Sequence, residues 1–236
     1  TGTAEEYFRF ARDVAAVDFC AHAANDFQVS QAHWNDLCRQ VKTFHQPRRF
    51  VTFLAFEWSG TTPAGGDHNV YFLRDDQVIR RSSHWQVPDR SDAANDRYPL
   101  SALLEELRGA AEVMVIPHVG GRHANLEYFE PTLEPVIEIC STHGRFEWLL
   151  EDALKSGYKV GFVANSDGHK GRPGASHPGA STFGAYGGLT CVLADTLTRD
   201  AVFEAIRRRR CYGTTAAQRI HVELAVNGLP MGAEGP

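Results

Sequence analysis

Apolar residues along the chain repeat with two different spacings. Spacings of three and four residues predict amphipathic helices, and short, nearly continuous apolar runs predict buried strands. The predicted helices cover residues 3–14, 30–41, 99–109, 146–157 and 198–209. The predicted strands cover residues 15–20, 50–56, 70–73, 113–116, 136–140, 160–164, 189–194 and 220–226. This alternation indicates one α/β domain over residues 1–236, with a parallel sheet covered by helices on its faces.

Composition narrows the class of protein. The 236 residues are 43% hydrophobic and 22% charged, as in a globular domain with one sizeable core. No apolar run reaches the roughly 20 residues that a membrane helix needs, and a net charge of −5 argues against nucleic acid and anionic membranes as partners. Five cysteines form no Cys-x-x-Cys pair, which favours a reducing compartment, and we expect a cytoplasmic protein.

Acidic residues and histidines cluster at the ends of the predicted strands. Glu57 follows one apolar run, His118 follows another, and Asp167 and His169 follow a third. Further candidates beside strands are His22, His68, Glu138 and His143. The carboxyl ends of parallel strands share one face, where such folds build their sites. Imidazole nitrogens and carboxylate oxygens gathered there are ligands for divalent metals.

Each candidate also has an ordinary structural interpretation. A single histidine after a strand is more often a solvated loop residue than a ligand, and Asp167 lies in Asn165–Gly168, which has good turn chemistry by itself. Arg122 and Arg145 follow strand ends, where they would bind an anionic substrate or lie on the surface. The acidic residues and histidines indicate a shared site more clearly as a set than singly, because chance would scatter such residues over both ends of the strands.

Other polar features receive weaker predictions. The glycine-rich segment 171–188 is the longest irregular one and is predicted to form a loop over the site. Four histidines with polar neighbours are predicted to be solvated. They are His33, His45, His84 and His221.

The ordered set of candidates resembles the PHP (polymerase and histidinol phosphatase) superfamily. The motifs that carry the resemblance are Phe56–Glu57, Asp67–His68, Ile116–His118 and Ser166–His169. The segments 7–13, 25–28, 118–122 and 211–215 are similar to an uncharacterised branch of that superfamily. The resemblance covers nearly the whole chain. It implies a distorted (β/α)7 barrel, similar to a TIM barrel, with a site of two or three metal ions at the carboxyl-terminal mouth.

The chain departs from the superfamily pattern in two places. The superfamily begins with a His-x-His-like motif on its first strand, and no strand precedes the helix cap at Thr3. We therefore expect a further strand upstream of Thr1 that carries at least one histidine. The superfamily's Thr-Asp-His motif is also absent from 22–26, where His22 is the first substitute and Asp26 the second.

The resemblance implies a metal-dependent hydrolase, and a phosphoester of a small, anionic molecule is the leading substrate class. The implied metal ligands are Glu57, His68, His118, Asp167, His169 and, more weakly, His22. His143 would protonate the leaving group or orient the substrate, and Arg122 would bind an anionic oxygen as a bidentate fork. The ligand set suits Zn, Mn or Fe. Two alternatives stay open: hydrolysis of an amide, lactone or sugar ester, and a degenerate barrel that binds metal without catalysis.

Overall fold

A computed structural model describes residues 2–175, 183–215 and 218–235. Five α-helices lie in these ranges: α1 Ala4–Asp13, α2 Gln31–Phe44, α3 Leu100–Leu107, α4 Glu147–Lys155 and α5 Arg199–Arg207. The predicted capping box begins α1, because the Thr3 side chain accepts from the Glu6 backbone while the Glu6 side chain accepts from the Thr3 backbone. Ser30 and Thr198 cap α2 and α5 through their hydroxyl oxygens alone, which accept from the backbone N–H of His33 and of Ala201. None of the described helices is long and apolar enough to cross a bilayer.

The strands form several small sheets. In chain order they are β1 Phe19–His22, β2 Val51–Ser59, β3 Asp67–Phe72, β4 Val113–Pro117, β5 Val136–Ser141, β6 Gly144–Arg145, β7 Gly161–Ala164, β8 Leu189–Val192, β9 Cys211–Thr214, β10 Ala225–Val226 and β11 Leu229–Pro230. The orders within the sheets are β1-β2-β3-β4, β6-β5-β7, β8-β9 and β10-β11. The chain is thus a mixed α/β structure.

One expectation, that the sheet is parallel, is corrected by this arrangement. The sheet is not parallel throughout, because β3 runs antiparallel to both β2 and β4. Hydrogen bonds between the described strands do not close the sheets into a barrel. Strand β1 is parallel to β2 and begins later than expected, because residues 15–17 continue from α1 as a turn with Ala16 at φ +50°. Residues 220–224 are exposed and form no strand.

Strand β2 shows how one strand serves both the core and the site. Its alternate residues Leu54, Phe56 and Trp58 pack into the cluster formed with α1, α2 and α3. The other face carries Phe53, which packs towards α5 in a second cluster, and then Glu57. Successive side chains point to opposite faces of a strand, so one face changes from apolar to acidic towards its carboxyl end.

The register of β2 and β3 decides which polar side chains meet. Glu57 pairs with Asn69, and Ser59 pairs with Asp67, so these four residues share one face. His68 pairs with Trp58 and therefore lies on the opposite face. There its Nε2 lies 3.5 Å from Oε1 of the buried Glu134.

The long connection between β3 and α3 is held by buried polar contacts. His84 was expected to be solvated, but it is buried, with Nδ1 2.7 Å from Asp96 and Nε2 3.0 Å from Asp92. The fully buried Arg81 bonds Asp92 as well, at 2.6 Å. The two aspartates lie 8 and 12 residues downstream of His84, and this spacing supplied no sequence signal for the cluster. In the glycine-rich segment, residues 176–182 lie outside the described ranges, and its remainder contains no helix or strand.

The buried Glu134 generates a testable pH dependence. Burial raises its pKa from 4.5 to about 8, so the folded protein holds a proton that the unfolded chain releases. Stability from this group is therefore largest at low pH and is lost as the pH rises from about 4.5 to about 8. One such proton changes the free energy of unfolding by up to about 1.4 kcal/mol per pH unit. We expect Glu134→Gln to make that slope shallower.

Urea unfolding between pH 5 and pH 8 measures the slope. The exposed Glu127 provides the control, since Glu127→Gln should leave the slope unchanged. The same slope in native protein and Glu134→Gln would contradict a protonated Glu134.

Candidate metal centre

Three overlapping groups of side chains could each hold a metal ion. They are Glu57 with Asp67 and His118, then His118 with Glu138 and Asp167, and then His143 with Asp167 and His169. Within each group the ligand atoms lie within 4.8 Å of one another. His118 belongs to the first two groups and Asp167 to the last two, so the three groups form one continuous cluster.

The first group is built by β2, β3 and the end of β4. His118 directly follows β4, and its backbone N–H donates to the Asp67 carbonyl at 3.2 Å, which fixes it beside β3. His118 Nε2 lies 3.8 Å from Glu57 Oε1. Ser59 donates to the same carboxylate oxygen at 3.3 Å and so orients Glu57.

The second group lies on the other side of the same imidazole ring. His118 Nδ1 is 3.8 Å from Glu138 Oε1 and 4.0 Å from Asp167 Oδ2. Glu138 lies within β5, and Asn165 donates to its Oε2 at 2.6 Å. Each nitrogen of His118 thus faces a different carboxylate, and whichever nitrogen carries no proton can ligate a cation on its own side of the ring.

The third group lies where the cluster reaches the surface. His143 Nε2 is 3.1 Å from Asp167 Oδ2, and the His169 ring lies 5.4 Å from the His143 ring. Asp167 adopts φ +42° in the turn after β7, and Thr142 donates to its carbonyl at 2.9 Å. The left-handed turn brings Asp167 and His169 to the same centre. Phe183 covers both imidazoles.

The surroundings of these acids shift their pKa values in opposite directions. Burial, followed by the charges of Asp67 and Asp167, raises the pKa of Glu57, and burial raises the pKa of Glu138 to about 8. Burial alone would raise the pKa of Asp167, but the His143 imidazole 3.1 Å away and the charge of His118 hold it below its ordinary value. Burial also lowers the pKa of His118. The cluster thus disfavours negative charge on its glutamates and positive charge on its imidazole.

The cluster contains five buried polar atoms with no hydrogen-bond partner among the described residues. They are His118 Nδ1, His118 Nε2, Glu138 Oε1, His143 Nε2 and Asp167 Oδ2. Buried nitrogen and oxygen atoms are normally paired, because leaving one unpaired costs about 1–3 kcal/mol. A divalent cation would accept lone pairs from all of these atom types and would relieve the repulsion between the carboxylates. The residues therefore fit metal ions.

Arg122 and Gly120 border the first group. Arg122 donates to Asp67 twice, from Nε at 2.7 Å and from its backbone N–H at 2.8 Å. A Cβ on Gly120 would lie 2.8 Å from Asp67 Oδ2, 3.0 Å from His118 Cε1 and 3.3 Å from Glu57 Oε1. Only a residue without a side chain lets the backbone pass this close to the cluster.

A cavity of about 950 Å³ leads from the interior of the sheets to the cluster. Its inner wall is apolar and includes Phe53, Tyr71, Met114 and Ile116. Its other end is polar and includes Glu57, Glu138, Asp167 and His169. The described β1 pairs only with β2, and the cavity runs along β1 from Phe19 to His22.

The structure brings four of the six metal-ligand candidates together. Glu57, His118, Asp167 and His169 lie in the three groups, and so does His143, which was expected to act on the leaving group. His68 lies on the opposite face beside Glu134, in none of the groups.

His22 also lies outside the groups. It lines the cavity and packs edge-on against Tyr7 at 4.5 Å, and its Nδ1 is buried without a partner among the described residues. Burial, and then the charge of His33, lowers its pKa to about 4.

Two acidic members of the cluster were missed as ligands. Asp67 precedes the proposed ligand His68 by one residue. The antiparallel register of β3 places Asp67, and not His68, on the same face as Glu57. Glu138 was noted beside a strand but not assigned to the metal set. A single acidic residue within the otherwise apolar run Val136–Cys140 was the signal that could have found it.

A family model for proteins of unknown function, DUF3604, matches residues 3–134, which is more than half of the chain. The chain belongs to the DUF3604 family. Among curated relatives, the DUF3604 protein is 25% identical to an uncharacterized protein of Chlamydia trachomatis serovar D over 99% of the chain. It is 23% identical to one of Chlamydia pneumoniae over 98% of the chain. The chain spans about 40% of the length of these relatives.

The fold is similar to that of a solved two-domain protein from Bacteroides vulgatus. That protein is described as containing a predicted PHP-like metal-dependent phosphoesterase. The TM-score is 0.59 with 12% sequence identity, and the match covers 89% of the DUF3604 protein and 59% of the other chain. The likeness establishes a shared fold.

The close approach of Gly120 yields a prediction about the cluster. Gly120→Ala should displace Asp67 or His118 and lower the affinity for Zn²⁺ or Mn²⁺ by at least about tenfold, because ligand atoms must be held within a few tenths of an ångström. Gly121→Ala is the matched control, since nothing lies within 4 Å of its Cβ position. Isothermal titration with each metal measures the difference. Equal affinities of the two variants would show that the cluster does not bind the metal.

Proposed function

We propose that the DUF3604 protein is a metal-dependent hydrolase that acts on a phosphate ester with two or three divalent cations. The observation that carries the proposal is the buried cluster around His118, with its unpaired nitrogen and oxygen atoms. The fold shared with a predicted PHP-like metal-dependent phosphoesterase supports the same chemistry. The finer description of the fold as a distorted (β/α)7 barrel belongs to this proposal.

The three groups would hold the cations, and His118 would contribute its unprotonated ring nitrogen to one of the two groups that contain it. The mixture of carboxylates and imidazoles suits Zn, Mn or Fe. Divalent cations in such a site lower the pKa of water and neutralise charge on the phosphoryl oxygens. His22 and His68 are further candidate ligands, and both would need to move to join the groups.

Arg122 and His143 are the side chains of the chain itself that would act on the substrate. Nε of Arg122 is held by Asp67, which leaves the two terminal nitrogens of the guanidinium free of hydrogen bonds with the described residues. They would bind phosphoryl oxygens of a small, anionic substrate beside the first group. The His143 side chain is partly buried, and it would hold the cation with Asp167 or pass a proton to the leaving group.

Hydrolysis of a carboxyl ester, lactone or amide uses the same metal chemistry and is the second candidate. The free end of Arg122 favours phosphate, although a carboxylate group on the substrate would bind it equally well. A barrel that binds metal without catalysis is the third. Substrate panels separate the three candidates.

We expect the native protein, loaded with Zn²⁺ or Mn²⁺, to hydrolyse phosphate monoesters such as phenyl phosphate. His118→Asn should lower kcat/KM at least about 100-fold and reduce the bound metal, because His118 faces both halves of the cluster. Asp152→Asn is the control, because its side chain is 57% exposed on α4 and belongs neither to the three groups nor to the lining of the cavity. Hydrolysis of carboxyl esters alone would favour the second candidate. Bound metal without any hydrolysis would favour the third.

A further inference from the structure

Trp85 is an exposed indole on a firmly held segment. It is 74% exposed, the largest exposed fraction among the large apolar side chains of the described residues. Large aromatic side chains are usually buried or placed at interfaces, because an exposed ring leaves apolar surface in water. The position of Trp85 therefore needs an explanation that the fold alone does not supply.

The backbone around Trp85 is anchored on both sides. The N–H of Ser82 donates to Asp26, and the Ser82 hydroxyl donates to the same carboxylate at 3.2 Å. The N–H of Gln86 donates to the Phe27 carbonyl at 3.1 Å. The neighbouring His84 is buried between two aspartates, as described above. The indole is thus presented to solvent by a fixed support and not by a loose loop.

A continuous path of side chains joins Trp85 to the cluster. The Trp85 and Phe27 rings lie 5.5 Å apart at 46°, and Cζ of Arg122 lies over the Phe27 ring at 5.7 Å. Nε of Arg122 is bonded to Asp67, a member of the first group. Trp85 and Arg122 therefore contact the same Phe27 ring, and the Arg122 guanidinium faces the proposed phosphate position.

We propose that Trp85, Phe27 and Arg122 form a subsite for a planar ring carried by the ester group of the substrate. The inference rests on the proposed function for the position of the phosphoryl group, and it adds the substrate class: phosphate esters of aryl or nucleoside type. The indole stacks on the ring, Phe27 supports the indole, and Arg122 binds the phosphoryl oxygens. Both ends of such a substrate are then held before its bond is broken.

Stacking explains why the three side chains take these places. Arg122 is planar and packs on Phe27, which fixes the direction of its free nitrogens. Phe27 itself is buried, and its backbone N–H donates to Asp26, which Ser82 also holds. An open indole face and an arginine that contact the same Phe27 ring bind a ring and an anion together, whereas alkyl phosphates and uncharged rings each use only one of the two.

Binding of two phosphonates, which cannot be hydrolysed, tests the subsite directly. The metal-loaded native protein should bind phenylphosphonate more tightly than methylphosphonate. Trp85→Ala should lose about tenfold of that preference, the loss expected for one stacking contact, and Trp85→Phe should keep most of it. Leu154→Ala is the matched control, because Leu154 is 54% exposed on α4. Titration calorimetry gives all the dissociation constants, and circular dichroism checks the fold of each variant.

The possible outcomes separate this inference from the proposed function. An equal preference in native protein and Trp85→Ala, or no binding of phenylphosphonate to the native protein, would overturn the subsite. Ring preference that depends on Trp85, in a protein that hydrolyses neither phenyl phosphate nor methyl phosphate, would support the subsite and count against phosphoester hydrolysis. Hydrolysis of both esters at equal kcat/KM in native protein and Trp85→Ala would support the hydrolase and overturn the subsite.

Discussion

Four carboxylates share one small buried volume around a single imidazole. Glu57, Asp67, Glu138 and Asp167 surround His118, and burial disfavours charge on each of them. Removing a carboxylate from water costs several kcal/mol unless a positive partner or a proton replaces the solvent. The polar contacts around these carboxylates offset part of that cost. The carboxylates differ in how they meet it, and this difference defines where cations fit.

Two of the carboxylates have positive or donating partners within the chain. Asp67 accepts two hydrogen bonds from Arg122, and Asp167 lies next to His143. Glu57 and Glu138 have only the neutral donors described above, and burial raises their pKa values, as it does that of Asp67 despite the contact with Arg122. Cations bound between the two kinds of carboxylate would replace protons on the glutamates. The backbone permits this, since β2, β3 and β4 meet at the cluster and glycine occupies position 120, where a side chain would touch it.

The sequence predicted the parts of the site that depend on strand ends and failed where register decides. Glu57, His118 and Asp167 each follow an apolar strand, so their grouping follows from strand direction alone. His68 was preferred to Asp67 because both precede an apolar run, and a shift of one residue moves a side chain to the other face. Helix limits were predictable from caps and spacing. The antiparallel direction of β3 was not, because it depends on which neighbours the strand finds.

The cluster around His118 and the exposed Trp85 lie on different kinds of segment. Under the proposed function, this separates the residues that carry out the reaction from the residue that selects the substrate. The cluster residues sit on or next to strands, where backbone pairing holds ligand atoms in place. Trp85 sits in the long connection between β3 and α3, which is stabilised by its own buried network of Arg81, His84 and two aspartates. A loop with an independent support can change its exposed side chain without disturbing the strands. Under the proposed function, selectivity for the organic part of a substrate would thus vary while Asp67 and Arg122 keep the phosphate end unchanged.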